Sequence, residues 1–324
     1  MKIDSLPPDV RLAVSLQSDW LRQINIWREL LAKCLRKPNR KRIHDLRSFT
    51  LRLSVSLEYW LLVQVPDPVA TSVFKRWNKE GKKLRRALRP ARDADVYMAR
   101  LDGLRAVLGG NSGRQSQLSP RCLREIDTLV SRLKQRRQAE IDELVAIIGA
   151  SSKRLNRRCK EMEVALAPII PSVSGSTAQA ALRQFTGLAC EFTDLDSANL
   201  HIYRKRLKPM LYLAEMSATA DPLAGRMAVA FRRIHLAIGE WHDWQTLAEE
   251  AACVLPDSGK QDGLVPVLET LAERTLQRAL CLCRTARRSL MSAGSDRSSD
   301  QLMPAPVDRV YRPHNESLTL SISN

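Results

Sequence analysis

The sequence predicts an all-helical protein on three observations. Glycine is scarce, at 13 of 324 residues, and aromatic residues make up only 5%. Leu, Ala and Arg dominate long stretches in which apolar residues return every three or four positions, the period of an amphipathic helix. Prolines and small polar residues fall between those stretches, where they break the period.

The elements follow in order. Leu12, Leu16, Trp20, Ile24, Trp27 and Leu31 recur at helical spacing after Pro8, and this first helix should stop before Pro38, since the residue ahead of a proline is pushed out of the helical region. A second helix is expected from about 40 to 62, ended by Pro66, Asp67 and Pro68, and a third from about 70 to 88, closed at Arg89 and Pro90. A short fourth runs from Asp93 towards Gly109 and Gly110. Ser119 followed by Pro120 is an N-cap with proline at the first helical position, so a long helix is expected over 120–148 and another from Ser151 or Ser152 to before Pro168. Residues 168–176, with two prolines and small polar residues, read as a linker. Helices are expected after it near 177–192, 199–217, 222–238, 242–254 and 263–290. From Met291 to the end no periodic apolar face remains, and 291–324 reads as a disordered tail.

Hydrophobic residues at 44% and charged residues at 27% suit a folded chain with ample capacity for a core. The seven cysteines are scattered with no CxxC pair, which predicts a reducing compartment and no zinc site. The N-terminus lacks an apolar signal region and no run is long enough to span a bilayer, so a soluble, cytoplasmic protein without a membrane partner is expected. Fifty-two Lys and Arg against 35 Asp and Glu leave a formal charge of +17. Such an excess repels itself unless an anion relieves it, and nucleic acid, an anionic membrane or another polyanion would serve.

The two sides of the linker resemble each other. Ile43-His44-Asp45-Leu46-Arg47 matches Leu200-His201-Ile202-Tyr203-Arg204 as a helix opening with His-x-x-Arg. Glu58 and Glu215 fall at the same displacement, and Asp93 and Asp243 at nearly the same. Duplication is the expectation: two helical bundles about a pseudo-twofold axis, residues 1–167 and 177–290. On the second helix Leu46, Phe49, Leu53, Leu57 and Trp60 face the core, leaving Arg40, His44, Arg47 and Glu58 opposite. In the second copy Tyr203, Leu207, Met210 and Ala214 face inward, and His201, Arg204, Lys208, Tyr212 and Glu215 lie opposite. The third helix carries eight basic residues against one acid, Glu80, and its stripe of Lys75, Lys79, Lys82 and Arg86 is read as anion-binding, because a merely solvated face would mix signs.

Phosphate loops, GxGxxG turns, GxSxG elbows and HExxH helices are absent from the sequence, so the common nucleotide, hydrolase and zincin chemistries lack support, and no catalytic residue, metal ligand or cofactor is assigned. The chain resembles the CHAD family, the conserved histidine α-helical domain, over roughly 16–290. The resemblance rests on His44-x-x-Arg47 followed by Arg52, on Leu88 followed by Ala91-Arg92-Asp93-Ala94-Asp95-Val96, on His201-x-x-Arg204 followed by Lys208 and Tyr212, and on Gly239 followed by His242-Asp243. It implies two pseudo-symmetric four-helix bundles with a central basic groove or pore, and a function of binding inorganic polyphosphate, often at polyphosphate granules. The ligand-facing positions it implies are His44, Arg47, Arg52, His201, Arg204 and Lys208, with Arg92 and His242 at helix junctions. The stripe Lys75, Lys79, Lys82 and Arg86 extends this set by helical geometry.

The chain departs from the family pattern at Leu51, Ser54, Pro209 and Leu211, where basic residues are expected, and Pro209 should kink its helix or delay its start. Some relatives carry a fused catalytic domain with an ExExK motif. Here Glu161-Met162-Glu163-Val164-Ala165 lacks the lysine, so the resemblance implies a stand-alone binding module that is not an enzyme. Nucleic acid is the secondary candidate partner, although no aromatic residues interleave with the basic stripes as a stacking platform requires. Metal-assisted phosphate chemistry would draw on Asp93, Asp95 and Asp243, whose alternative roles are helix capping or pairing with neighbouring Arg.

Overall fold

A computed structural model of the chain describes residues 8–61, 67–108, 118–167, 177–255 and 262–295. Among the described residues it is all-helical: α1 (Pro8–Arg36), α2 (Arg40–Tyr59), α3 (Pro68–Ala87), α4 (Arg89–Leu108), α5 (Pro120–Leu166), α6 (Thr177–Glu191), α7 (Leu200–Ser217), α8 (Pro222–Val254) and α9 (Leu264–Ser295). The expected linker at 168–176 and the tail beyond Ser295 lie outside the described residues.

The helix starts follow from local chemistry. Asn39 accepts a hydrogen bond from the Arg42 amide at 2.9 Å, Asp67 from Ala70 at 2.6 Å, Ser119 from Cys122 at 3.0 Å and Asp221 from Leu223 at 2.8 Å. Each satisfies an amide that the first helical turn leaves without a partner, and in three of the four a proline follows the cap.

Five elements differ from the sequence expectation. The segments 120–148 and 151–167 form one 47-residue helix. Gly149 lies on its solvent side, where an added Cβ would meet nothing, while Leu144, Ile148, Leu155 and Cys159 keep one buried register across it. A single exposed glycine costs about 1 kcal/mol, less than burial on both sides returns. The segments 222–238 and 242–254 likewise join into α8, with Ile234, Ile238, Trp241, Trp244 and Leu247 buried in one series through Gly239. α4 starts at Arg89 rather than Asp93, because Pro90 sits in its first turn, where no amide is needed. α7 starts at Leu200 and continues through Pro209, so the proline does not delay it. α9 also takes in 291–295 of the expected tail.

The chain divides into two compact units, each drawing helices from both sides of the 168–176 stretch. One comprises Met1–Val96, Arg132–Glu191 and Ile202–Arg232; the other comprises Tyr97–Ser131, Phe192–His201 and Arg233–Asn324. In the first unit α1 packs on α2 and α2 on α3. Its core is aromatic: Trp27 meets Trp77 edge-on at 5.7 Å, Phe74 stacks on Trp77 at 6.4 Å, Trp20 meets Trp60 at 5.4 Å and Phe185 meets Phe231 at 4.9 Å. Each such ring buries about 150–250 Å², a gross gain of about 4–6 kcal/mol at 25 cal/mol per Å². The Trp27 indole donates to the buried Thr50 hydroxyl at 2.8 Å, and Thr50 donates to the Leu46 carbonyl at 2.6 Å, so these two side chains are paired inside the core, whereas the Trp60 and Trp77 indole nitrogens are buried without a hydrogen-bond partner. The second unit buries Leu101, Leu104, Ile126, Leu129, Trp241 and Leu268.

The register of α2 against α3 is fixed by small residues. An added Cβ at Gly81 would stand 3.2 Å from Thr50 Cγ2, and the Ser54 hydroxyl donates to Asn78 Oδ1 at 2.9 Å. The two helices therefore run antiparallel in close approach. One turn further along, that register sets Arg47 against Arg85.

Candidate functional site

Arg47 and Arg85 belong to a cationic cluster that lies wholly within the first unit. α2 supplies Arg47, α3 supplies Arg85, α4 supplies Arg92, and α7 supplies Arg204 and Lys208, one turn apart on the same face. All five are half-buried. Burial, together with the charges of Arg204, Arg47, Arg92 and Arg85, pushes the Lys208 ammonium down to about 7. Burial first, then Arg92, pushes Arg47 down to about 10, against which Asp93 acts to restore it. Burial also lowers Arg85, and its Nε is a buried donor with no hydrogen-bond partner. Desolvation penalises the charged form and like charges add to the penalty, so these groups are held in a state that a bound anion would relieve.

Acids sit at the margin of the cluster and are themselves engaged. Asp93 accepts from Arg92 Nη1 at 2.8 Å and from Arg89 Nε at 3.1 Å. Glu215, largely buried, accepts from Arg52 Nη2 at 2.5 Å and from Arg232 Nη2 at 2.6 Å. That clamp lays the Arg52 guanidinium over the Tyr212 ring, 5.2 Å from its centre, while Lys208 Nζ lies 5.8 Å from the same centre. Burial raises the Tyr212 hydroxyl above its usual range. The remaining candidate acids are also paired. Asp95 is clasped by the Arg137 guanidinium, and Asp243 accepts from Arg100 Nη2 at 3.4 Å.

Of the residues singled out from the sequence, Arg47, Arg92, Arg204 and Lys208 come together, and Arg52 adjoins them through Tyr212. His44 is exposed, with Nδ1 3.3 Å from Asp45 Oδ1. His201 and His242 belong to the second unit, where their rings meet edge-to-face at 4.4 Å and His242 Nδ1 lies 3.1 Å from Thr246 Oγ1. Lys75, Lys79, Lys82 and Arg86 are exposed along the outer side of α3. The basic residue that α3 contributes to the cluster is Arg85, which the stripe passed over. The buried Gly81, in the middle of the most basic helix, was the available signal, since it marks the side on which α3 approaches α2.

The family model for the CHAD domain matches residues 21–252. The chain belongs to the CHAD domain family. The crystal structure of the CHAD domain from the plant Ricinus communis is similar over 88% of this chain and 86% of that one, at 17% identity and a TM-score of 0.47. No curated protein matches the chain. In this CHAD-domain protein, no helix among the described residues is long and apolar enough to cross a membrane. The thiols of Cys34, Cys159 and Cys283 are pushed up to about 11–12 by burial, which leaves them packed as apolar groups rather than as nucleophiles.

Proposed function

We propose that this CHAD-domain protein binds inorganic polyphosphate through the cluster of Arg47, Arg85, Arg92, Arg204 and Lys208, acts in the cytoplasm at polyphosphate granules, and does not turn the polymer over. One observation carries the reading: five cations from four helices are crowded and partly desolvated, with the buried Arg85 Nε unsatisfied. A polyanion neutralises such a cluster, and its closely spaced phosphoryl oxygens match the two-pronged donor geometry of guanidinium groups. The cluster needs no sequence readout, which distinguishes it from a nucleic-acid recognition surface. Family membership supports the same ligand, and the exposed stripe Lys75, Lys79, Lys82 and Arg86 extends the positive field by which a long chain is attracted.

The discriminating experiment is competition. Labelled long-chain polyphosphate is displaced with single- and double-stranded DNA at matched phosphate concentration and about 0.15 M salt, where exposed charges are screened beyond about 8 Å. Polyphosphate should win clearly. Equal displacement by DNA would favour a general nucleic-acid-binding protein.

A further inference from the structure

A cavity of about 330 Å³ adjoins the cationic cluster in the first unit, lined by Leu30 of α1, by Asp45, Ser48, Phe49 and Arg52 of α2, and by Tyr212 of α7. Its volume lies at the small end of small-molecule sites, which run from about 300 to 1,000 Å³. The lining is chemically mixed in a particular way. Phe49 and Tyr212 give aromatic surface and Leu30 an aliphatic edge. The Arg52 guanidinium, held by Glu215 at 2.5 Å and by the Tyr212 ring beneath it, gives a fixed planar cation. Asp45 offers a partly exposed carboxylate and Ser48 a hydroxyl. Flat apolar faces with a planar guanidinium accept a heterocycle by stacking, and the carboxylate and hydroxyl give its edge hydrogen-bond partners.

Cavity and cluster share one wall. Tyr212 lines the cavity, and the same side chain feels Arg85 and Arg47 and has Lys208 Nζ 5.8 Å from its ring centre. We infer that the cavity takes the base of a nucleoside oligophosphate whose phosphates lie among Arg47, Arg85 and Lys208. Asp45, an acceptor when ionised, selects a base that carries an exocyclic amino group, so adenine is preferred over uracil. The inference rests on the proposed phosphate-binding role of the cluster and adds to it a second ligand class, recognised at its non-phosphate end.

The test is calorimetric titration of the full chain with ATP, UTP and inorganic tripolyphosphate at about 0.15 M salt without divalent metal. The three ligands carry the same number of phosphates, and tripolyphosphate carries the greater charge, so tighter binding of ATP has to come from the base. ATP should bind about tenfold tighter than tripolyphosphate, the worth of one base stacked on an aromatic side chain, with UTP between them. Phe49→Ala should remove the ATP advantage and leave tripolyphosphate unchanged. Should the loss of the ring lower the unfolding temperature, Ser48→Trp, which fills the cavity, should do the same. Equal affinities for ATP and tripolyphosphate would overturn the base site while leaving the phosphate reading intact, as would an ATP advantage that survives both substitutions. Binding of none of the three would sink the phosphate reading and the base site together.

Discussion

Lys208 Nζ lies 5.8 Å from the centre of the Tyr212 ring, on a helix face that turns both side chains towards α2. The lysine is thus placed beside an aromatic ring and among four guanidinium groups, and its ammonium is pushed down from 10.5 to about 7 by burial and then by those charges. Without a ligand its charged form is a burden on the fold. With a phosphate chain in place, the same charge becomes an attraction.

Lys208 makes both stability and binding depend on pH, in opposite senses. Between about pH 7 and 10.5 the unfolded chain binds more protons at this site than the folded one, so stability rises with pH across that window, and the penalty is fully present below 7. Lys208→Met should therefore raise the unfolding temperature at pH 6 and matter little at pH 10. Binding shows the opposite trend: polyphosphate raises the lysine's proton affinity, so its own affinity should fall as pH rises above 7, with proton uptake measurable by calorimetry in buffers of different ionisation heat. In Lys208→Met that uptake should vanish. Persistence of the full uptake would place the titrating group elsewhere.

Asp95 makes a structural prediction independent of any ligand. Its side chain is 7% exposed, and Arg137 donates to both of its oxygens, Nη2 to Oδ2 at 3.2 Å and Nε to Oδ1. Removing one partner of such a pair leaves the other charged group poorly solvated, at a cost of about 3–5 kcal/mol. Asp95→Ala should lose that much in urea unfolding. A loss below about 1 kcal/mol would mean that water replaces the carboxylate.

Asp93 separates binding from catalysis. Were it a metal-holding acid, Asp93→Asn would abolish orthophosphate release from polyphosphate in Mg²⁺ or Mn²⁺. The parent protein should instead release none above background. Since Asp93 draws on Arg92 and Arg89 at the edge of the cluster, Asp93→Asn should tighten polyphosphate binding a few-fold, in line with about 1 kcal/mol for a half-exposed pair. Sustained turnover lost in the variant would contradict the non-catalytic role.

The helical class and most element starts were legible because prolines, breaks in the apolar period and the Ser119 cap are local signals; the structure adds Asn39, Asp67 and Asp221 as caps that act within one turn of themselves. The joins in α5 and α8 were not legible, because Gly149 and Gly239 read as breaks, and only the buried series on both sides, a tertiary quantity, shows that the helix continues. At the site, helical periodicity turned Arg47, Arg204 and Lys208 away from their local cores, and the family resemblance is what implied that they face a ligand. Arg85 was missed because charge density along α3 does not reveal which edge approaches α2. The Thr50–Gly81 contact settles that, and it spans two helices. The cavity beside Tyr212 was equally hidden, since Leu30, Phe49 and Tyr212 come from three separate helices.

The most direct test of the polyphosphate account compares two charge-reversed double variants in salt-titrated binding, with circular dichroism confirming that both are folded. Arg47→Glu with Arg204→Glu acts inside the cluster. Lys153→Glu with Lys160→Glu acts on exposed side chains of α5. Each charge-assisted phosphate contact is worth about 1.5–3 kcal/mol, so the cluster variant should lose at least a hundredfold in affinity and show a shallower salt slope, because fewer counterions are released. The α5 variant should lose only a few-fold, through the long-range field. Equal losses in the two would contradict the account, showing that the chain binds through its net charge and not through the cluster.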